Sequence, residues 1–129
     1  MRPTTLFVYG TLKRRAPRRQ HPLLHGARFV TSASISGVLY DLGEYPGLVR
    51  PSHSRSRVAG ELYELPNDAS AKLLDALDEY EGAEYVRRRV YVRLSSGKRR
   101  AAWAYLLRRR PKSAALLPKG RYALRRGVA

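Results

Sequence analysis

Five carboxylates, Asp75, Asp78, Glu79, Glu81 and Glu84, fall within ten residues of an otherwise strongly basic chain. Most of them sit in the last turn of a predicted helix or just beyond it. The carbonyl end of a helix carries partial negative charge, so an exposed carboxylate there is repelled by roughly 0.3–1 kcal/mol. That repulsion, added to neighbouring like charges and burial, lifts a carboxyl from its reference near ~4.3 towards the range of a general base. An arginine such as Arg87 pushes the other way. Glu81 stands between Tyr80, the last residue of an apolar stripe, and Gly82, where the chain must turn, a position that aims its side chain at the sheet. Asp78 and Glu79 read as solvated helix residues. On residue chemistry alone an ion pair with one of the many arginines is the better account of Glu81, since structural pairs also carry shifted carboxylates.

A second constellation is "YGTLKRR" at residues 9–15. An apolar strand stops at Gly10 and becomes a cationic loop of Lys13, Arg14 and Arg15. A tight turn with free backbone N–H groups beside positive charge suits capture of a small anion. The stretch is not a P-loop, because Gly-x-x-x-x-Gly-Lys-Ser/Thr is absent. His21, His25 and His53 lack the spacing of a zinc site, and the chain has no cysteine, so neither a metal nor a thiol nucleophile is expected. No Gly-x-Ser-x-Gly elbow occurs.

The elements that must position these groups follow from pattern and punctuation. Residues 5–9 read as a first strand. Residues 13–25 read as a polar basic connection with Pro17 and Pro22. Residues 27–40, broken by Gly37, read as two short strands or one bent strand. "DLGEYPGLVRPS" reads as turn. "RVAGELYEL" is a strand whose alternation is only fair. "NDASAKLLDALDEY" predicts a helix with Asn67 or Asp68 as N-cap, a buried stripe of Leu73, Leu77 and Tyr80 with Leu74 beside them, and Gly82 as a left-handed cap. "YVRRRVYVRL", "SSGK" and "RRAAWAYLL" form a hairpin. From Arg108 onward a final strand or a loosely packed tail is expected. Six or seven short strands and one convincing helix make an α+β domain with a small mixed sheet curled towards a barrel.

With 129 residues the chain makes one domain with a modest core. No apolar run is long enough for a bilayer span and the N-terminal segment is a poor secretory signal, so no membrane association is expected, and a cytoplasmic location is. The formal charge is +16, and its layout is polar along the chain. Every acidic residue lies between Asp41 and Glu84, while residues 85–129 carry 15 of the 26 Lys and Arg and no Asp or Glu. Such a field concentrates anions, whether small carboxylates or nucleic acid. Arginines and nine tyrosines favour nucleic acid, but no helix-turn-helix, RRM or zinc-finger pattern organises them.

"LFVYGTLKRR", "HPLLHGARFV", "GVLYDLGEYPGLV", "VAGELYEL", "LLDALDEYEGAEYVRRRVYV" and "AWAYL" follow one another in an order that resembles γ-glutamylcyclotransferase-like proteins, and most closely the AIG2-like branch with γ-glutamylamine cyclotransferase. The resemblance spans residues 6–107, which gives a domain at 1–107 and a basic extension at 108–129. It implies a small mixed barrel with few flanking helices and a cavity at one end. It also implies a reaction without cofactor or metal, in which a γ-glutamyl amide cyclises to 5-oxoproline and releases its amine. By motif, the loop Tyr9, Gly10, Thr11 and Leu12 corresponds to the one that binds the α-carboxylate, and the catalytic glutamate falls on Glu81. Tyr85 and Tyr105 are candidate donors to the oxyanion beside the backbone N–H groups. Two alternatives stand beside this reading: a non-catalytic module on the same fold that binds RNA or another polyanion, and a hydrolase or acyltransferase of a related γ-glutamyl compound. The expected partner is a small γ-glutamyl substrate and the expected state a monomer.

Overall fold

The computed structural model describes residues 3–14, 19–43, 45–51, 55–111, 115–117 and 120. Arg15, Pro17, His53 and residues 121–129, all touched on above, lie outside them. The elements run β1 (Thr5–Val8), a 3-10 turn (Pro22–Leu24), β2 (Arg28–Ser36), β3 (Val38–Asp41), β4 (Pro46–Val49), β5 (Arg57–Glu64), α1 (Ser70–Glu81), β6 (Tyr85–Leu94), β7 (Arg99–Leu107) and β8 (Ala115–Leu116). Five strands close a barrel in the order β1-β5-β2-β6-β7, and β4-β3-β8 form a second, three-stranded sheet. The barrel closes through a short parallel pairing of Leu6 with Trp103, and its other pairings are antiparallel. The domain is α+β, as expected.

Two apolar clusters share the barrel wall between them. Phe7, Tyr9, Ile35, Val58, Leu62, Val90 and Val92 fill the interior together with Leu39 and Leu48 of the second sheet. Leu6, Val8, Leu12, Tyr63 and Leu65 point the other way and meet Leu24, Leu74, Leu77, Tyr85 and Tyr105 beneath α1 and the 3-10 turn. Strands β1 and β5 are therefore covered on both faces, which is why β5 lacks a clean two-residue alternation. Gly60 belongs to the same packing, since a Cβ there would lie 2.6 Å from Phe7 Cζ.

Three local readings change. The helix begins after Ala69, which makes no side-chain cap, and neither Asn67 nor Asp68 serves. Tyr80 leaves the buried stripe and is 42% exposed, with Leu74 and Leu77 as the buried face. Within the stretch read as turn, Pro46–Val49 is a strand: Pro46 opens it, where a missing N–H is tolerated, and Gly47 makes room for the Leu107 side chain, whose Cγ would lie 2.5 Å from a Cβ there. Among the described residues no helix is long and apolar enough to cross a membrane.

Candidate active site

The loop after β1, the end of α1 and the starts of β4 and β6 converge on a cleft with an empty volume of about 330 Å³ including its mouth. Its chemistry comes from Tyr9, Gly10, Thr11, Glu81, Tyr85 and Tyr105, with Tyr45 and Pro46 closing one side. Lys13 N–H donates to Gly10 O at 3.0 Å, so residues 10–13 form a β-turn. The amides of Gly10, Thr11 and Leu12 find no acceptor among the described residues, which leaves them available as an anion nest. Gly10 does not have a positive φ. It is a glycine because a Cβ would stand 2.8 Å from Pro46 Cγ across the cleft. Leu12 turns its side chain into the core at 2% exposure, so only its main chain is offered to the site.

Glu81 closes α1, and Gly82 then takes φ +86°, ψ −175°. This is not the left-handed helical cap that the glycine suggested but an extended positive-φ conformation open essentially to glycine alone. It sends the chain directly into β6 and leaves the Glu81 carboxyl in the cleft. Among the described residues Glu81 has no ion pair and accepts no hydrogen bond. Burial without a compensating charge raises its pKa to about 7.

The arginine expected to compensate it is engaged elsewhere. Arg87 donates from Nε and Nη2 to the two carboxylate oxygens of Asp78 at 2.8 and 3.2 Å. Tyr105 donates its hydroxyl proton to Asp78 Oδ1 at 2.6 Å. The guanidinium beside Asp78, with the Tyr105 hydroxyl assisting, holds that carboxyl below its ordinary value. Asp78, read as a solvated helix residue, is thus the clamp between the last turn of α1 and strands β6 and β7. An Arg nine residues downstream on an alternating strand is a weak sequence signal for it, and two equivalent arginines follow.

The tyrosines are also committed. Tyr9 donates to Tyr105 O at 2.6 Å and accepts from Leu48 N–H at 3.2 Å, and burial drives its pKa well above the ordinary value. Tyr85 donates to Pro46 O at 2.6 Å. The structure therefore brings Tyr9, Gly10, Thr11, Leu12, Tyr85, Tyr105 and Glu81 to one cleft, but the hydroxyl protons of Tyr85 and Tyr105 point at protein acceptors. The amides of the 10–13 turn are left as donors. Thr11 Oγ1 shares a hydrogen bond with Tyr80 OH at 2.9 Å, tying the turn to α1. Among the described residues no lysine or arginine lines the cleft. Among the described residues no group of three or more His, Asp or Glu is placed to hold a metal ion.

Comparison with known proteins gives the family and the fold. A family model described as gamma-glutamyl cyclotransferase, AIG2-like, matches residues 6–124, running past the point where the sequence resemblance ended. Protein ytfP from Escherichia coli is 31% identical, with 92% of this chain and 95% of that one covered at a TM-score of 0.61. An aig2-like protein from Mus musculus is 27% identical over 84% of this chain and 79% of that one, at a TM-score of 0.65. YkqA from Bacillus subtilis shares the fold at a TM-score of 0.74 and 24% identity, and this chain, 94% covered, spans 40% of its length. No curated protein sequence matches.

Proposed function

We propose, for a chain that belongs to the gamma-glutamyl cyclotransferase, AIG2-like family, that it cyclises γ-glutamyl amides of amines or peptides to 5-oxoproline with Glu81 as general acid and base. One observation carries the reading: a half-buried carboxyl without a counter-charge shares a cleft with a turn of unused amides, and the described lining of that cleft holds no serine or cysteine to act as a nucleophile. The substrate must then bring its own. Its α-carboxylate fits the amides of Gly10, Thr11 and Leu12, and its α-ammonium fits Glu81.

The chemistry follows from that pose. Glu81 takes a proton from the α-ammonium, and the freed amine attacks the γ-carbonyl carbon to form the ring C–N bond. The carbonyl oxygen becomes an oxyanion, for which an amide of the turn that the two carboxylate oxygens leave unused is the available donor. Collapse breaks the bond to the leaving nitrogen as protonated Glu81 donates to it. The second proton shed by the α-nitrogen leaves with the departing amine as ammonium. Nucleophile and electrophile belong to one molecule, so holding it folded supplies much of the rate through effective molarity.

The test is 5-oxoproline release by mass spectrometry from a panel of γ-glutamyl amines and dipeptides, wild type beside Glu81→Gln. Wild type is expected to release 5-oxoproline and Glu81→Gln, folded, to lose at least about 100-fold in turnover, in line with general acid–base catalysis. Glutamate as the product would assign the cleft to hydrolysis instead, with the same carboxylate activating water.

A further inference from the structure

Beyond the cleft, the strongest unexplained feature is the outer face of the barrel. Pairing Ser34 with Arg93 and Arg93 with Arg99 sets two arginines directly opposite on β6 and β7. Arg57 of β5 joins them across β2, donating from Nε to Ser34 Oγ at 3.0 Å and from Nη2 to Ser34 O at 2.9 Å. Like charges in direct cross-strand register destabilise a sheet. Arg57 shows the crowding, since burial, with Arg93 and Arg50 behind it, draws its pKa down. Among the described residues Arg89, Arg93 and Arg99 make no ion pair with a carboxylate. Glu61, a carboxylate that lines the same trough as Arg93, accepts from the Arg14 backbone N–H and Nε.

Aromatic rings lie among these cations. Tyr91 is 63% exposed, and the Arg99 guanidinium sits 5.3 Å from its centroid. Arg89 and Arg87 stand 5.6 and 4.6 Å from the Trp103 ring, one register step away. Ser32, Ser34 and Ala59 between them floor a trough that runs beside Arg93. We infer that this face of β5, β2, β6 and β7 binds single-stranded nucleic acid, with phosphates over Arg57, Arg93 and Arg99 and a base stacked on Tyr91.

The alternatives fit the surface less well. A membrane would need an apolar face, and Tyr91 is the one large exposed hydrophobic side chain described here on β2, β6 or β7. A duplex is read by an element that enters a groove, whereas these residues lie along strands of the barrel wall. A basic surface with exposed rings is how sequence-tolerant single-strand binders hold a chain, stacking bases and tracking phosphates. Adjacent strands about 4.8 Å apart space the cations closely enough for a flexible phosphate chain to follow. Along β6, Arg93 stands eight residues from the cleft's Tyr85, about 26 Å at strand rise, while the trough reaches Lys13 beside the cleft's turn.

Fluorescence anisotropy of the full chain with labelled oligouridine and oligothymidine of about 12 nucleotides tests this. Neutralising three phosphates, binding should weaken about 20-fold between roughly 50 and 200 mM sodium chloride. The triple variant Arg57→Gln, Arg93→Gln, Arg99→Gln should flatten that log–log slope by about 2. Tyr91→Ala should weaken binding roughly tenfold at either salt and leave the slope unchanged. Glu81→Gln should bind as wild type does, which separates this surface from the cleft. Should the triple variant not fold, Arg93→Gln and Tyr91→Ala carry the test. Absence of binding at low salt, equal or tighter binding of a duplex of the same length, equal competition by polyglutamate, preferential binding to anionic vesicles, or an unaltered affinity in Tyr91→Ala would each overturn the inference. A preference between the two oligomers would identify RNA or DNA as the natural strand.

Discussion

Burial without a partner separates Glu81 from the other carboxylates of its cluster. Asp78, three residues earlier, has a bidentate arginine and a tyrosine hydroxyl and is held low, whereas Glu81 is pushed up to about 7. A base must be ionised to act, so kcat/KM for a γ-glutamyl amide should rise with pH and level off as the profile passes through about 7. A profile flat from about pH 5 to 8 would remove Glu81 as the base. Stability carries the opposite sign. The folded state holds a proton on Glu81 that the unfolded chain, with its value near 4.5, has released. The contribution of this group is therefore complete below pH 4.5 and is lost as pH rises through about 7. Glu81→Gln should accordingly raise Tm relative to wild type more at about pH 8 than at about pH 5, read by thermal melts in matched buffers. Little of this contrast was legible in the sequence. The position of Glu81 between Tyr80 and Gly82 marked it, yet only the fold shows that Arg87 turns to Asp78, because that choice depends on how α1 lies over β6 and β7.

At the scale of elements, the end of α1 aims Glu81 by two devices. One is the Gly82 backbone, φ +86° and ψ −175°, with open space where a Cβ would be. Gly82→Ala therefore strains the chain without a clash, at about 1–3 kcal/mol, and should lower kcat because the helix end must shift. Gly97, φ +91° in the β6–β7 hairpin, is the control: its Ala variant should lose similar stability by denaturant melts and keep kcat. The other device is the Asp78 clamp. Asp78→Ala frees Arg87 and Tyr105 and should cost about 1 kcal/mol, small because the pair is partly exposed, while lowering kcat more than it changes KM. The elements themselves were legible where one period dominates, as in α1 and the β6–β7 hairpin. They were obscured where two layers press on one strand, as in β5, and where Pro46 and Gly47 imitate a turn while serving Tyr85 and Leu107. The pairing of β3 with β8 joins residues far apart in the chain, which no local pattern announces.

For the whole molecule, the charge of +16 surrounds a cleft that among the described residues has no lysine or arginine in its lining. Attraction of an anionic substrate would thus come from the field and not from contact, and a field is screened beyond a Debye length of about 10 Å at 0.1 M salt. The two substrate classes differ in this respect. A γ-glutamyl dipeptide carries two carboxylates and one ammonium, whereas a γ-glutamyl alkylamide is a net-neutral zwitterion. Between about 20 and 200 mM sodium chloride, kcat/KM for the dipeptide should fall several-fold with kcat steady, and that for the alkylamide should hold. Both falling together, with kcat, would mean that salt acts on the fold and that the arginines do not steer substrate. Since Arg93 and Arg99 lie at the ends of β6 and β7 away from the cleft's Tyr85 and Tyr105, the triple glutamine variant should reduce the dipeptide's salt sensitivity only in part. A complete loss would place the steering charge there, and with it a competition between substrate and nucleic acid for one field.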